Sequence, residues 1–246
     1  MAFAIAQGQS VLLVDADTRR PCLAQLLGAE RETSALIAVA RRLSRGDSAD
    51  VLRECAVTMG GVDFLAGLNS GLRWREVPSA AMEEMWRRIR LGWDVAVVDC
   101  APECESQGDV LERDAVTRSL LVNADIVLCV GRASPVGVRR LLGSLDEAAL
   151  SIGVRPVPVI VRGGTAKSSD VREISGILAA KDVGAPLWLR EDPSGYAKAE
   201  REGVPLREAS PSSPAVRDVL AVARGLGIAA AGVAKRRGRL RRGRRR

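Results

Sequence analysis

Histidine is absent from the 246 residues, and with it the commonest general base and metal ligand near neutral pH. Hydrolytic triads and most zinc chemistry are therefore poor readings of this chain. Aromatic residues make up only 3%, and tyrosine occurs once, at Tyr196. The core must then be aliphatic, which suits a parallel sheet covered on both faces, whose buried strands read as continuous Val, Leu and Ile runs. No apolar stretch approaches the roughly 20 residues that a membrane span needs. No secretory signal pattern is present either, so the sequence reads as cytoplasmic. Five cysteines stand at Cys22, Cys55, Cys100, Cys104 and Cys129. Without histidine or metal-ligand spacing they read as small core hydrophobes in a reducing compartment.

What is present is 47% hydrophobic residues at a mean hydropathy of +0.04, enough for one globular α/β domain. The net charge of +7 is a property of one end. Nine basic residues and no acid lie from Lys235 to Arg246, and removing those nine from +7 leaves −2 for the rest. The chain divides into a body, residues 1–227, and a basic tail, residues 228–246. Aliphatic runs predict strands at 11–14, 62–65, 94–98, 126–130, 157–161 and 186–189. Between them, helical periodicity covers 21–28, 35–42, 47–54, 80–90, 114–123, 135–149 and 170–180. Residues 1–7 read as the back half of a helix, and 214–226 as the last compact one. No hairpin signal is read, so the expected fold class is α/β: a mostly parallel sheet with helices on both faces.

In open parallel sheets, ligands sit beyond the carboxyl ends of the strands. Two expected strands end there on acid: Asp15, with Asp17 two residues on, and Asp99. Such carboxylates could hold a hydrated Mg²⁺ through oxygen ligands. A strand-end aspartate can equally just cap the following helix.

The wider context carries a resemblance. VLLVDADTRRPCLAQLLG, residues 11–28, resembles the second nucleotide-site motif of the ParA/MinD ATPases and the related bacterial tyrosine kinases. WDVAVVDCAPE, residues 93–103, resembles the Walker B strand of the same family. Residues 113–141 and 191–227 are similar, in the same order, to its MinD-like, CpaE-like branch. The resemblance implies a P-loop fold binding ATP and Mg²⁺. In that fold Asp17 would orient the attacking water and Asp15 and Asp99 would place the metal. Arg162, Asp192 and Pro193 would contact the nucleotide. It also implies a homodimer and a role in chromosome partition, septum placement or pilus assembly. A non-catalytic adaptor of the same fold is the alternative. The kinase reading is disfavoured, since those kinases carry a tyrosine-rich tail.

Relative to that family the sequence opens inside the first helix, after the glycine-rich loop KGGxGKT. A late-assigned start, a fragment or a degenerate member would each give this. The family's first strand is central, so a sheet without it is expected to leave two internal edges unpaired and the chain poorly stable. Val161 stands where the family's VVNR has its adenine-reading asparagine. RGGTAKSS, residues 162–169, follows a strand and precedes a helix, but Ala166 replaces the glycine before lysine, and it reads as an ordinary Gly/Ser loop. The tail, KRRGRLRRGRRR, has one apolar residue, Leu240, too few for an amphipathic membrane helix. It could hold DNA, RNA or anionic headgroups without sequence specificity, or be merely solvated. Arg19 and Arg20 read as phosphate contacts or as solvated surface, and the four tryptophans as core and rim packing.

Overall fold

The computed structural model describes residues 1–6, 8–29, 34–47, 50–101, 114–153, 156–163 and 167–228. The chain opens on one helical turn, α1 (Ala2–Ile5), which leads into β1 (Val11–Ala16). Every residue of β1 is buried. Its side chains alternate between two cores, as the strand period of two demands. Leu12, Val14 and Ala16 enter one cluster, and Val11 and Leu13 the other. After a short α2 (Leu23–Leu26), α3 (Ala35–Ser44) starts where Ser34 accepts a hydrogen bond from the Ile37 N–H. It buries Leu36, Ile37, Val39, Ala40 and Leu43, a stripe at helical spacing.

Following α4 (Val51–Cys55), β2 (Val57–Met59) and β3 (Val62–Leu65) form an antiparallel hairpin. The sequence reading found no hairpin, and this is a correction. Gly60 and Gly61 make the two-residue turn with φ of +52° and +77°, the left-handed pair that a tight hairpin requires and that glycine supplies without strain. A 3₁₀ segment (Gly71–Glu76) and α5 (Ser79–Gly92) then lead to β4 (Val95–Cys100). The first sheet has the order β2-β3-β1-β4, with β1 parallel to both of its neighbours. On one face α5 packs Met82, Met85, Trp86 and Ile89 against β1 and α3.

The second half begins with α6 (Ala115–Asn123) and β5 (Leu128–Arg132). This strand starts two residues later than the aliphatic run suggests, because its ladder begins where Leu128 lies opposite Val157. Ser134 caps α7 (Pro135–Ile152), with Pro135 in its first turn and Gly153 closing it at φ +67°. The strand β6 (Val157–Arg162), α8 (Ser168–Ala180) and β7 (Leu187–Arg190) follow. The chain ends on α9 (Pro193–Glu202), α10 (Leu206–Ala209) and α11 (Pro214–Gly225). Here the strand order is β5-β6-β7, all parallel. Among the described residues the strands fall in two sheets, and β4 and β5 carry the two unpaired internal edges that the sequence leads one to expect. Each sheet has its own aliphatic core.

Trp86 and Trp93 are buried as expected. Cys22 is exposed, not a core residue. Cys104 and residues 229–246 of the tail lie outside the described residues.

Candidate functional site

In the parallel pairing of β1 with β4, Asp15 lies opposite Asp99. Two carboxylates therefore leave adjacent strands at the same level, at the carboxyl end of the first sheet. Asp17 sits in the loop that follows, and both Asp15 and Asp17 are buried. The sequence DADTRR folds this loop with its own side chains. Asp15 Oδ1 accepts from the Asp17 N–H at 3.2 Å, and its Oδ2 from the Leu23 N–H at 3.0 Å, tying β1 to the first turn of α2. Asp17 Oδ1 accepts from the N–H groups of Arg19 and Arg20, at 2.7 and 2.9 Å. Such short-range carboxylate bonds let aspartate build tight turns.

The three acids differ in what remains open. Burial raises the Asp15 pKa, and the backbone donors and Asp17 only modulate that shift. The Asp99 side chain has no hydrogen bond or ion pair among the described residues. Desolvation among the strand ends, and then the negative charges of Asp15 and Asp17, push its pKa up to about 6. Partial desolvation at its foot of the loop, and then Asp15, Asp99 and Asp17, raise the pKa of the otherwise exposed Cys22 thiol, so all three acids act on one small space.

A carboxyl with a folded pKa above its unfolded value makes the native state bind more protons than the unfolded state in the interval between them. For Asp99 that interval runs from 3.8 to about 6, so its contribution favours the fold below that window and is lost as pH rises through about 6. Asp99→Asn is expected to stabilise the metal-free chain at pH 7 by up to about 1 kcal/mol, because solvent reaches the group and screens it. It should also flatten stability between pH 4 and 7. Urea denaturation of both proteins across that range checks this, and an unchanged pH profile would remove the electrostatic account.

Sequence reasoning missed two supports of the loop. The Arg19 Nη2 contacts both carboxylate oxygens of Asp114, at 3.0 and 3.1 Å, with the Asp114 side chain 1% exposed. Arg19 is therefore paired with a buried acid while its own side chain stays 21% exposed, and Arg20 is exposed. The second support is Gly67, where a Cβ would stand 2.6 Å from the Asp15 carbonyl oxygen and 2.8 Å from its carboxyl carbon. Glycine is the residue that lets one backbone approach another this closely. The sequence hinted at it only as a glycine in the loop after β3.

The remaining candidates stand apart. Arg162 ends β6 and Asp192 caps α9, accepting from the Gly195 N–H at 3.0 Å, with Pro193 in the first turn of α9. Hydrogen bonds to Ser213, the Gly195 N–H and Ser194 lower the Asp192 pKa. No hydrogen bond or ion pair among the described residues joins this group to the three aspartates. Residues 164–166 of RGGTAKSS lie outside the described residues, and Lys167 caps α8 with its N–H on Asp170 Oδ2 at 2.8 Å.

A parallel sheet with paired strand-end aspartates can be compared with solved structures. A ParA family ATPase from Chlorobium tepidum superposes with a TM-score of 0.73 at 17% identity, over 91% of this chain and 90% of that one. The fold is that of the ParA/MinD ATPases. The septum site-determining protein MinD from Pyrococcus horikoshii, solved with Mg-ADP, gives 0.64 at 18% identity over 94% and 90%. A putative plasmid partition protein from Borrelia burgdorferi, solved with AMPPNP, gives 0.66 at 12% identity over 92% and 90%. No protein-family model matches the sequence, and no curated protein does. At these identities the likeness lies in the ParA/MinD fold alone.

Whether Mg²⁺ suits the three acids is a question of donors. No group of three or more histidine, cysteine or acidic side chains among the described residues is placed to hold a metal unaided. Mg²⁺ does not require one, since it commonly keeps several waters and takes one or two carboxylates. The carboxylate that stands open and crowded by like charge, Asp99, with Asp15 beside it, fits such an ion. A nucleotide's phosphates need backbone amides and a cation. Among the described residues neither a glycine-rich loop nor a lysine stands beside these acids, so what they fit is the metal side of such a site. No helix of the described residues is long and apolar enough to cross a membrane.

Proposed function

We propose that this chain is a ParA/MinD-like positioning ATPase, or the remnant of one, whose residues 1–227 form the nucleotide-binding domain. The observation that supports this most is the register of Asp15 against Asp99 on that fold, with Asp17 in the adjoining loop. In this reading Asp99 and Asp15 hold the hydration shell of Mg²⁺, and Asp17 orients a water through the oxygen that does not fix the loop. The ion would supply charge neutralisation for a phosphoryl group. Arg162, Asp192 and Pro193 would border the nucleotide. A homodimer, and a sequence-independent hold on DNA or anionic surfaces by the residues from Lys235 to Arg246, complete the proposal. Chromosome partition, septum placement and pilus assembly are the processes it would serve.

The second reading is a non-catalytic adaptor of the same fold. Titration calorimetry of this chain with Mg²⁺-ATP separates the two. Saturable, Mg²⁺-dependent heat that Asp99→Asn abolishes supports the nucleotide reading. A folded chain that gives no heat supports the adaptor. Nucleotide binding that ignores Asp99→Asn would mean that the acids are not the metal side of the site.

A further inference from the structure

One side of α7 packs on the second sheet, where Val138, Leu141, Leu145 and Ala148 are buried. Gly143 stands at the middle of the opposite side, exposed, and a Cβ there would meet nothing within 4 Å. At about 100° per residue, Val136, Arg139 and Arg140 before it all fall within about 60° of its direction. Asp146, Glu147 and Leu150 after it do the same, and all six are exposed. The two aliphatic side chains are far out of the core, Val136 at 61% and Leu150 at 81%. The shortest gap between these bases and acids, Arg140 to Asp146, is six positions. That exceeds the three- and four-residue spacings at which charges pair along one helix. Single exposed side chains of these kinds are ordinary, but their order is not. Counted outward from Gly143, base on one side matches acid on the other at three and four residues, and aliphatic matches aliphatic at seven.

We propose that this side of α7 is a self-association face, on which a second copy of the chain docks its own α7 antiparallel, about a two-fold axis beside Gly143. A two-fold contact sets one patch against itself, so the patch must be self-complementary. With the axis at Gly143, Arg139 faces Asp146 of the partner subunit and Arg140 faces Glu147 of the partner subunit. Val136 meets Leu150 of the partner subunit at each end. Symmetry repeats every contact, giving four ion pairs and two apolar contacts around a pair of glycines, where the backbones can approach closely. A parallel pairing in register would set base against base and acid against acid, so the charge order selects the antiparallel one.

The 18 residues of α7 span about 27 Å. One helix on another buries less than the roughly 1,200 Å² of a standard interface. Exposed ion pairs set orientation more than strength. The dimer should therefore be weak, with a dissociation constant on the order of 10–100 μM. The face is separate from Asp15, Asp17 and Asp99, and the inference does not rest on nucleotide binding.

Sedimentation velocity of the full chain in EDTA, without nucleotide, should show concentration-dependent dimerisation in the micromolar range. Arg139→Glu with Arg140→Glu gives a face of acids alone, and Asp146→Arg with Glu147→Arg a face of bases alone. Each double variant should self-associate at least about tenfold more weakly, whereas an equimolar mixture of the two should associate at least as tightly as the unchanged chain. Circular dichroism checks that both variants fold. If either does not, hydrogen exchange of the unchanged chain at low and high concentration decides, with slowing expected in α7. A chain that stays monomeric up to millimolar concentration would overturn the proposal. So would double variants that dimerise like the unchanged chain, a mixture that associates no better than its components, or slowing confined to other elements. Dimerisation that requires Mg²⁺-ATP and is lost in Asp99→Asn would also overturn it, while supporting the nucleotide reading.

Discussion

Asp114→Ala is expected to destabilise the chain by about 3 kcal/mol, the lower end of the range for removing one partner of a buried ion pair. The Asp114 side chain is 1% exposed and that of Arg19 21%. The orphaned guanidinium can therefore reach some water, which keeps the cost from the top of that range. The pair spans 95 positions of sequence. It pins the loop carrying Asp17 to the start of α6, where Asp114 also accepts the Arg118 N–H through its carbonyl at 2.8 Å. Arg19→Met combined with Asp114→Leu should recover much of the loss, because two apolar groups leave no charge buried. Urea denaturation of the two single variants and the double one gives the coupling directly. A single-variant loss below about 0.5 kcal/mol, the usual size of a surface effect, would show that the pair does not hold the loop.

That pair also marks where the sequence stops being readable. The strands beneath the site were legible because their side chains obey short-range rules. VLLV is buried on both faces and reads as a central strand, and β3 occupies the four residues expected of it. The acids were legible because an aspartate that closes an aliphatic run falls at the carboxyl end of its strand. Their division of labour was not. Asp15 and Asp17 are spent on loop N–H groups while Asp99 is left open, and the chain's path decides this.

The hairpin of β2 and β3 was legible and overlooked. Gly60-Gly61 is a known two-residue turn, but β2 is only three residues long and half-buried, too short to show alternation. Two unpaired internal edges followed from the resemblance, but that β4 and β5 carry them did not, since no local pattern records which strands share an edge. Arg19 read as a phosphate contact or a solvated charge because its partner, Asp114 at the start of α6, is met much later in the chain.

Gly67→Ala should cost about 2–3 kcal/mol, a typical penalty for forcing atoms into a filled site. The added Cβ would lie 2.6 Å from the Asp15 carbonyl oxygen, 2.8 Å from Cγ and 2.9 Å from Oδ1. Backbone and carboxylate stand on the same side, so no rotamer change relieves the contact. The chain must move Asp15, and with it the acceptors of the Asp17 and Leu23 N–H groups. Gly143→Ala provides the control. It lies within α7, where a Cβ meets nothing within 4 Å, and should stabilise by roughly 0.5–1 kcal/mol through helix propensity. Opposite signs for one chemical change would separate close backbone approach from a general intolerance of glycine loss. Thermal and urea unfolding of both variants reads the difference, and a neutral Gly67→Ala would mean that the loop after β3 does not buttress Asp15. The same variant reaches the site chemistry. Displacing Asp15 relaxes the charge pressing on Asp99, so the pH window that Asp99 imposes should narrow in Gly67→Ala and stay unchanged in Gly143→Ala.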